Sequence, residues 1–333
     1  MAEKKKGLGC AGIICLFVIV GIFGALTRGH NNKDRSETEI TSVSQGDTKG
    51  ASKKKAVPAN SQEGSAESRE TTEDVDGTSD HIDENSVIPT IDDQVLWEVD
   101  GVKISATGID TDSFWGAELK LLVENNSDKD IGISTNAVIV NDYMINDITS
   151  ITVTAGNKTN DKVTLFSSSL NAAGIENIGK IELYLHTFDP NTYETLNSSE
   201  CITIETSDFD KTDTESNIEG AVLLDSDGIK VTAQYVDENS FWGAAAILYI
   251  ENNTDRIVSV ECEDTAINGF MVNGFQYVEV YPHKKAIDEI TFFSSDLEEN
   301  GITEIEEIET TVIVIDGDSY EEIANSGKVK FAT

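Results

Sequence analysis

Histidine is the side chain best suited to acid–base chemistry near neutral pH, because its usual pKa is about 6.5. The chain has four of them, at His30, His81, His186 and His283. It contains no HExxH zinc motif, no GxSxG serine-hydrolase motif and no P-loop. A paired-carboxylate hydrolase is an open alternative in so acidic a chain, but no particular pair stands out. The sequence therefore predicts a protein without catalytic activity.

Three aspartates lie close together in the segment "SDFDKTDTES", at Asp208, Asp210 and Asp213. Calcium prefers several oxygen ligands, so these carboxylates are candidate ligands for a Ca²⁺ ion that would stiffen a linker. A second acidic turn, "DGDSYEE", spans Asp316–Glu322. Neither segment matches the calcium loop of an EF-hand. The favoured interpretation is a solvated acidic linker and a hairpin turn, with calcium as the alternative and no other cofactor.

A lysine and an asparagine beside a buried acid can form an isopeptide crosslink. Such residues occur at matching positions of two similar segments: Lys103, Glu124 and Asn125 in one, and Lys230, Glu251 and Asn252 in the other. A solvent-facing lysine and a polar turn explain them equally well. The same asparagines begin the glycosylation patterns "NNS" and "NNT", where we predict a tight turn, since asparagine tolerates a left-handed backbone.

The stretch "SFWGA" occurs twice, at Ser113–Ala117 and Ser240–Ala244. An exposed Trp115 or Trp242 would be able to stack on a sugar or to anchor a protein partner. Tryptophan gains so much from burial that packing is the favoured interpretation, with one aromatic of each pair in the core. The glycine that follows predicts a bulge or a close backbone approach at the start of a strand.

A duplication accounts for the two copies of this stretch. Residues Val95–Thr206 align without a gap on Val222–Thr333, and about a third of the positions are identical. A constant register over this length indicates an internal duplication. We call the two segments the first repeat and the second repeat. Two copies are too few for a solenoid, so each is expected to form a domain of its own.

Both repeats have the period of β-strands. In "VKISATGI", Val102, Ile104 and Ala106 alternate with polar residues, and turn signals such as "ENNSDKD" and "DPNTYE" separate similar segments. About seven short strands per repeat predict an all-β fold with two tandem antiparallel β-sandwich domains of immunoglobulin-like architecture. The expected boundaries are 94–207 for the first module, 208–221 for an acidic linker and 222–333 for the second module.

The N-terminal part has a different character. Residues 7–27 carry no charge and follow three lysines, which predicts an uncleaved transmembrane signal-anchor over residues 1–27; a cleaved signal peptide is the alternative. Residues 28–93 are rich in Ser, Thr, Glu and Asp, and they predict a disordered stalk. This arrangement predicts a single-pass protein of a bacterial cell membrane, with its repeats outside the cell.

The overall charge limits the possible partners. The formal net charge is −37 and the pI is about 4.2, and such an acidic surface is expected to repel nucleic acid, because phosphate binding needs clustered Lys and Arg. The cysteines form no disulfide framework and no CxxC pair; they occur at Cys10, Cys15, Cys201 and Cys262.

The shared motifs of the repeats are FWG, "ENN[ST]D", "N-x-[YF]-M-[IV]-N" and "FSS-x-L…GI". In these motifs the chain resembles immunoglobulin-like extracellular modules of unknown function from exported proteins of clostridia-like Gram-positive bacteria. The resemblance implies a β-sandwich at the cell envelope and no catalytic residues. The leading hypothesis is a non-catalytic protein of the cell surface whose repeats act in adhesion or ligand binding. Its candidate partners are a cell-wall glycan and another surface protein. The alternative is a spacer or accessory subunit of an envelope complex.

Overall fold

The computed structural model describes residues 89–212 and 218–332 of the chain. The predicted membrane anchor and stalk therefore lie outside the described residues, apart from the last few residues of the stalk. Among the described residues, no helix has the length and apolar character needed to cross a bilayer.

The first repeat consists of short strands and one short helix. Its elements are β1 (Gln94–Val99), β2 (Val102–Asp110), β3 (Gly116–Asn125), β4 (Ile131–Val140), β5 (Tyr143–Ile145), β6 (Ser150–Val153), β7 (Lys158–Phe166), α1 (Ser167–Ala172), β8 (Lys180–Phe188), β9 (Thr195–Ser198) and β10 (Ile202–Glu205). A 3-10 turn at Phe209–Lys211 follows the last strand.

The second repeat has equivalent elements in the same order, with an additional short strand at Gly274–Phe275 and with one long strand in place of β9 and β10. They are β11 (Ala221–Ser226), β12 (Ile229–Ser240), β13 (Gly243–Asn252), β14 (Val258–Ile267), β15 (Phe270–Met271), β16 (Gly274–Phe275), β17 (Tyr277–Val280), β18 (Lys285–Phe293), α2 (Ser294–Glu299), β19 (Glu307–Asp316) and β20 (Glu322–Ala332). Strand β18 corresponds to β7, and β20 corresponds to β9 and β10.

Each repeat forms two antiparallel layers. In the first repeat, one layer has the order β1-β2-β3-β7, and the other has the order β10-β8-β4-β5 with β6 beside β4. In the second repeat, the layers are β11-β12-β13-β18 and β15-β14-β19-β20. The predicted all-β fold with two antiparallel sandwiches is confirmed in the described part of the chain.

The cores lie between the layers, where alternate residues of each strand point inward. In the first repeat, Ile104 and Leu121 of one layer share a buried cluster with Ile133 and Leu183 of the other. Val231 and Val260 mark the equivalent cluster of the second repeat. The predicted alternation in β2 is confirmed, since Val102, Ile104 and Ala106 are all buried.

Tight turns fix the register of the hairpins. Asp100 and Gly101 both have positive φ, at 47° and 82°, and so do Asp227 and Gly228, at 52° and 84°. Two successive residues with positive φ form the type I′ turn, which matches the twist of the flanking strands. The repeated "DG" therefore joins β1 to β2 and β11 to β12 in the same way.

Candidate functional site

The two "SFWGA" stretches lie at the tips of the β2–β3 and β12–β13 connections, and all four aromatics are exposed. The exposed fractions are 87% for Phe114, 64% for Trp115, 88% for Phe241 and 54% for Trp242. The prediction that packing explains these aromatics is therefore wrong. The residues lie in the turn beyond the paired strands, where neither side chain can reach the core.

The exposed rings have the same arrangement in both repeats. The ring centroids of Phe114 and Trp115 are 5.0 Å apart with an interplanar angle of 85°, and those of Phe241 and Trp242 are 4.8 Å apart at 88°. Edge-to-face packing of this kind is favourable for aromatic quadrupoles. Each pair therefore presents one composite apolar surface to the solvent. We call the two surfaces the aromatic tips.

Backbone contacts hold each tip in place. The carbonyl of Trp115 accepts hydrogen bonds from the backbone N–H of Ser167 at 2.9 Å and from its hydroxyl at 3.0 Å. The carbonyl of Trp242 accepts the same two bonds from Ser294, at 2.9 and 3.1 Å. The first residue of α1 and of α2 thus fixes the tryptophan backbone, and "FSS" belongs to the same structural unit as "FWG".

The glycine after each tryptophan is required by a close backbone approach. A Cβ atom at Gly116 would lie 2.1 Å from the carbonyl oxygen of Leu165, and one at Gly243 would lie 2.3 Å from that of Phe292. Their φ angles of 137° and 148° also disfavour other residues. The predicted close approach at the start of the strand is confirmed.

A polar network supports the first aromatic tip. Glu118 is buried beneath it and accepts hydrogen bonds from Lys120, from Lys162 and, at 2.7 Å, from the hydroxyl of Ser113. These bonds lower the pKa of Glu118 to about 2, because they favour the charged carboxylate. The first tip therefore has two ammonium groups close to its base.

The second aromatic tip has different surroundings. The positions of Glu118, Lys120 and Lys162 are occupied by Ala245, Ile247 and Glu289. An open groove of about 660 Å³ runs along β12 and the strand before it, and its lining ends at Asn239, two residues before Phe241. The two tips share their aromatic geometry and differ in charge and in neighbouring shape.

The candidate calcium ligands do not all lie in the described residues. Asp208 is buried, and its Oδ1 accepts a hydrogen bond from Nζ of Lys211 at 2.6 Å. Asp210 lies in the 3-10 turn, and Asp213 lies outside the described residues. In the described part of the chain, no three His, Cys, Asp or Glu side chains are grouped to hold a metal. The calcium hypothesis stays a prediction.

The second acidic turn is organised by its own backbone. Oδ1 of Asp316 accepts the N–H groups of Asp318 and Ser319, each at 3.0 Å, and Oδ2 accepts Nη1 of Arg256 at 2.9 Å. These bonds lower the pKa of Asp316. This is the geometry of an Asx turn, which agrees with the hairpin interpretation.

The described histidines lie apart from the aromatic tips. His186 is on β8, and its ring packs against that of Phe188 at 5.9 Å; burial lowers its pKa. His283 is exposed, and its Nε2 lies 2.9 Å from Oδ1 of Asp255. Among the described residues, Nδ1 of His186 has no hydrogen-bond partner and Nε2 of His283 is paired with Asp255, so neither of these two atoms is hydrogen-bonded to a serine or cysteine.

The asparagines of "ENN[ST]D" form a buried hydrogen-bond centre. Nδ2 of Asn125 donates to the carbonyls of Lys129 at 2.8 Å and Val153 at 2.9 Å. Nδ2 of Asn252 donates in the same way to Arg256 and Val280, both at 2.8 Å. Oδ1 of each asparagine accepts the N–H two residues on, from Ser127 at 3.0 Å and from Thr254 at 2.9 Å, so the predicted tight turn is confirmed, and it forms without a positive φ at either asparagine. Each asparagine also ties a loop to a neighbouring strand.

The residues considered for an isopeptide crosslink make other contacts in the structure. Nζ of Lys103 lies 3.8 Å from a carboxylate oxygen of Glu124 on the neighbouring strand. In the second repeat, Lys230 pairs across the strands with Glu251. The asparagine amides are already bonded to backbone carbonyls, so these lysines and asparagines do not form the buried arrangement of an isopeptide site.

A buried junction between the repeats has no signal in the sequence motifs. Strand β5 pairs in parallel with β18, with Tyr143 opposite Lys285, and the N–H of Lys285 donates to the carbonyl of Asp142 at 2.9 Å. Nζ of Lys284 donates to Oδ1 of Asp142 at 2.8 Å and to Oε2 of Glu182 at 2.6 Å. The sequence hints at this junction only through a difference between the repeats, because the position of Lys284 holds an asparagine in the first repeat.

Aromatic residues complete the junction. Tyr249 of the second repeat is buried in the core cluster of the first repeat, with its ring 6.4 Å from that of Tyr143. The rings of Tyr184 and Tyr281 lie 4.6 Å apart. The junction therefore combines apolar burial, an ion cluster and a strand pairing.

Comparisons with known proteins find solved structures of low similarity. No family model matches the chain, and no curated protein matches it. Among solved structures, the SafA pilin with the SafB chaperone of Salmonella enterica is 13% identical, covers 71% of this chain and 98% of that chain, and has a TM-score of 0.20. The YadV chaperone is 12% identical, with 70% and 100% coverage and a TM-score of 0.21. A protein of unknown function from Porphyromonas gingivalis is 12% identical, with 65% and 91% coverage and a TM-score of 0.18. Scores at this level give no basis for transferring a function.

Proposed function

We propose that this chain is a non-catalytic, membrane-anchored protein of the bacterial cell surface that binds a ligand through its two aromatic tips. The observation that carries the proposal is the repeated exposure of a Phe–Trp pair in one fixed geometry. Folding does not require these rings to be apolar, since they contribute little to the cores. An exposed aromatic pair on a rigid backbone is a common basis of recognition.

The ligand that fits best is a cell-wall glycan. A sugar ring offers an apolar face of C–H groups that can lie on the indole of Trp115 or Trp242. The acidic surface of the chain, with its net charge of −37, disfavours an acidic polymer and agrees with a neutral one. A surface protein with an apolar pocket is the other partner that such tips would fit.

Two tips on one chain would act together on a repeating polymer. The second binding event on a linked pair of sites is intramolecular, so the combined affinity exceeds that of either site alone. The buried junction between the repeats supports this mechanism because it restricts their relative motion. The predicted stalk over residues 28–93 would hold the tips away from the membrane.

A pull-down of the full chain on purified bacterial cell wall and on immobilised glycans tests the proposal. We expect Trp115→Ala and Trp242→Ala each to weaken binding about tenfold, and the double variant to weaken it further. Tyr320→Ala is a matched control, because Tyr320 is also a 75% exposed aromatic at a turn. Binding that is equal in the wild type and in the double variant would contradict the role of the tips.

A spacer is the second candidate function, and the junction is the observation that favours it. Lys284 and the strand pairing of β5 with β18 make the two repeats one connected body. A spacer needs this stiffness and needs no ligand. If the wild type retains no wall, glycan or protein component in the pull-down, the spacer function is favoured.

A further inference from the structure

The junction between the repeats joins two different kinds of surface. The first repeat contributes the tip of its β4–β5 hairpin and the adjacent β8; we call this the hairpin surface. The second repeat contributes the outer edge of β18 and its flanking residues, which we call the edge surface. Because the two repeats share one fold, each surface occurs twice. The hairpin surface of the second repeat and the edge surface of the first are not used in the junction.

The unused hairpin surface exposes apolar side chains. Phe270 and Met271 are 49% and 59% exposed. Their counterparts in the first repeat are covered by the second repeat: Tyr143 is 6% exposed, and Met144 packs against the core cluster of the second repeat. The same element is therefore covered in one copy and open in the other.

The unused hairpin has the same internal supports as the used one. Nδ2 of Asn141 donates to the carbonyl of Asn177 at 2.7 Å, and Nδ2 of Asn268 donates to that of Glu304 at 2.8 Å. Oδ1 of each asparagine accepts two backbone N–H groups at the start of the neighbouring strand, β8 or β19. The second hairpin is thus held in its docking conformation without a partner.

The unused edge surface lies on β7. In the described residues, β7 pairs with β3 on one side only, whereas β18 pairs with β13, with the short β16 at its Phe293 end and with β5 at its Lys285 end. At the junction, the N–H of Lys285 points outward to the incoming hairpin. The matching position on β7 is Lys158, which is exposed. The edge strand therefore offers the same residue type at the position that accepts the hairpin.

Three contacts of the junction have fitting counterparts on the two unused surfaces, whereas Gly269 replaces Asp142, and Thr311 and Thr154 replace the paired rings of Tyr184 and Tyr281. Phe270 would replace Tyr143 and would meet Lys158, which preserves the contact of Lys285 with the ring of Tyr143 at 5.3 Å. Leu122 stands at the position of Tyr249 and keeps an apolar partner for Phe270. Glu309 would meet Asn157 where Glu182 meets Lys284, so a hydrogen bond replaces an ion pair. No like charges are opposed among these pairs.

We propose that the hairpin surface of the second repeat docks on the β7 edge surface of a second copy of this chain, in the arrangement that β4–β5 and β18 adopt within one chain. The contact is heterologous, because the two surfaces differ. Repetition of such a contact gives a ring or an open fibre rather than a closed two-fold dimer. The second chain's own hairpin surface then remains free for a third.

This contact leaves the aromatic tip of the first repeat accessible. Lys158 and Phe166 are the two ends of β7, and at about 3.4 Å per residue they lie about 27 Å apart. The docking contact is at the Lys158 end, and the tip of the first repeat is at the Phe166 end. Assembly and ligand binding at this tip are therefore separate properties that separate variants can remove.

Sedimentation velocity of the full chain in mild detergent, over a range of protein concentrations, tests the proposal. We expect the average mass of the wild type to rise with concentration. Phe270→Asp on the hairpin surface and Lys158→Asp on the edge surface are each expected to raise the dissociation constant about tenfold or more. Tyr320→Asp is the control for an added charge at an exposed aromatic, and it is expected to associate like the wild type. Association of the Phe270→Asp/Lys158→Asp double variant at wild-type strength would overturn the proposal, because neither proposed surface is intact in that variant.

Mixing the two single variants separates a head-to-tail contact from a symmetric one. Each single variant keeps one intact surface, so a mixture is expected to form dimers with wild-type affinity and no larger species. The proposal is overturned if the wild-type mass does not depend on concentration, or if the variants associate as well as the wild type. It is also overturned if the mixture fails to form dimers. The melting temperatures of all variants are measured alongside, and unchanged values exclude misfolding as the cause of lost association.

Discussion

Nζ of Lys284 donates a hydrogen bond to Oδ1 of Asp142 over 2.8 Å, and this contact joins the two repeats of the chain. The same ammonium also reaches Glu182, while Asp142 accepts a second bond from Lys180. Burial alone would raise the pKa of Asp142, but the bonds from Lys180 and Lys284 outweigh it and hold the pKa below its usual value. The cluster is charge-balanced, with two ammonium groups and two carboxylates.

Lys284→Ala is expected to lower the free energy of unfolding by about 2 kcal/mol. A fully buried ion pair that loses one partner costs about 3–5 kcal/mol, and the cost is smaller here because Asp142 keeps Lys180. Calorimetry is expected to show that the two repeats then unfold in separate transitions. Lys330→Ala is the control, since its ion pair with Glu307 is exposed and contributes little. Equal effects of the two substitutions would contradict the role of the junction.

Asp288 gives the second repeat a stability that depends on pH. Its side chain faces the interior, and burial raises its pKa to about 6, against the smaller opposing effect of the hydrogen bond from Gln276 at 2.8 Å. A raised pKa means that the folded state favours the protonated form. The contribution of this group to stability is therefore complete below pH 3.8, its unfolded value, and is lost as the pH rises through 6.

Asp288→Asn is expected to stabilise the protein at pH 8 by about 2 kcal/mol and to have a smaller effect as the pH falls to 4. Thermal unfolding at several pH values measures this difference. Asp161→Asn is the matched control, because Asp161 occupies the same position in the first repeat and is exposed. A pH-independent effect of Asp288→Asn would show that the substitution acts through packing and not through charge.

Gly243→Ala is expected to cost about 3 kcal/mol of stability. The added Cβ would lie 2.3 Å from the carbonyl oxygen of Phe292, and this backbone atom cannot move without breaking the strand pairing. Gly301→Ala provides the comparison, because Gly301 has a φ of 66° with no atom within 4 Å of a new Cβ. It is expected to cost only about 1–2 kcal/mol from backbone strain. Chemical denaturation of both variants tests the order, and equal costs would refute the close approach as the cause.

Asn252→Ala is expected to cost about 3 kcal/mol. The substitution leaves the carbonyls of Arg256, Val280 and Tyr281 without the amide that bonds them at 2.8, 2.8 and 3.1 Å. The neighbouring Asn253 is exposed, so Asn253→Ala is expected to stay within about 0.5 kcal/mol of the wild type. The comparison is informative because both residues belong to the same "ENN" motif. A large effect at Asn253 would show that the loop as a whole, and not the buried amide, sets the stability.

Much of the fold follows from local sequence. The alternation in β2 places Val102 and Ile104 inside, and the "DG" pairs set the hairpin turns, because these properties depend on neighbours along the chain. The glycine of "FWG" was predicted for the same reason. The prediction failed for the aromatics before it, where hydrophobicity indicated burial for Trp115 and Trp242. Whether a ring finds space in a core depends on residues distant in sequence, and here the turn carries both rings beyond the strands.

A constant register and a two-residue period are visible without coordinates, and they establish that the chain contains two copies of one β-rich module. How the two copies differ in their contacts became visible in the folded chain. Lys284 and Tyr249 became junction residues because folding placed them opposite Asp142 and Tyr143, while the corresponding residues of the first repeat kept an open edge. The physical reason is that burial and charge pairing are set by what lies across a surface. That information is held by residues far apart along the chain, which only the fold brings together.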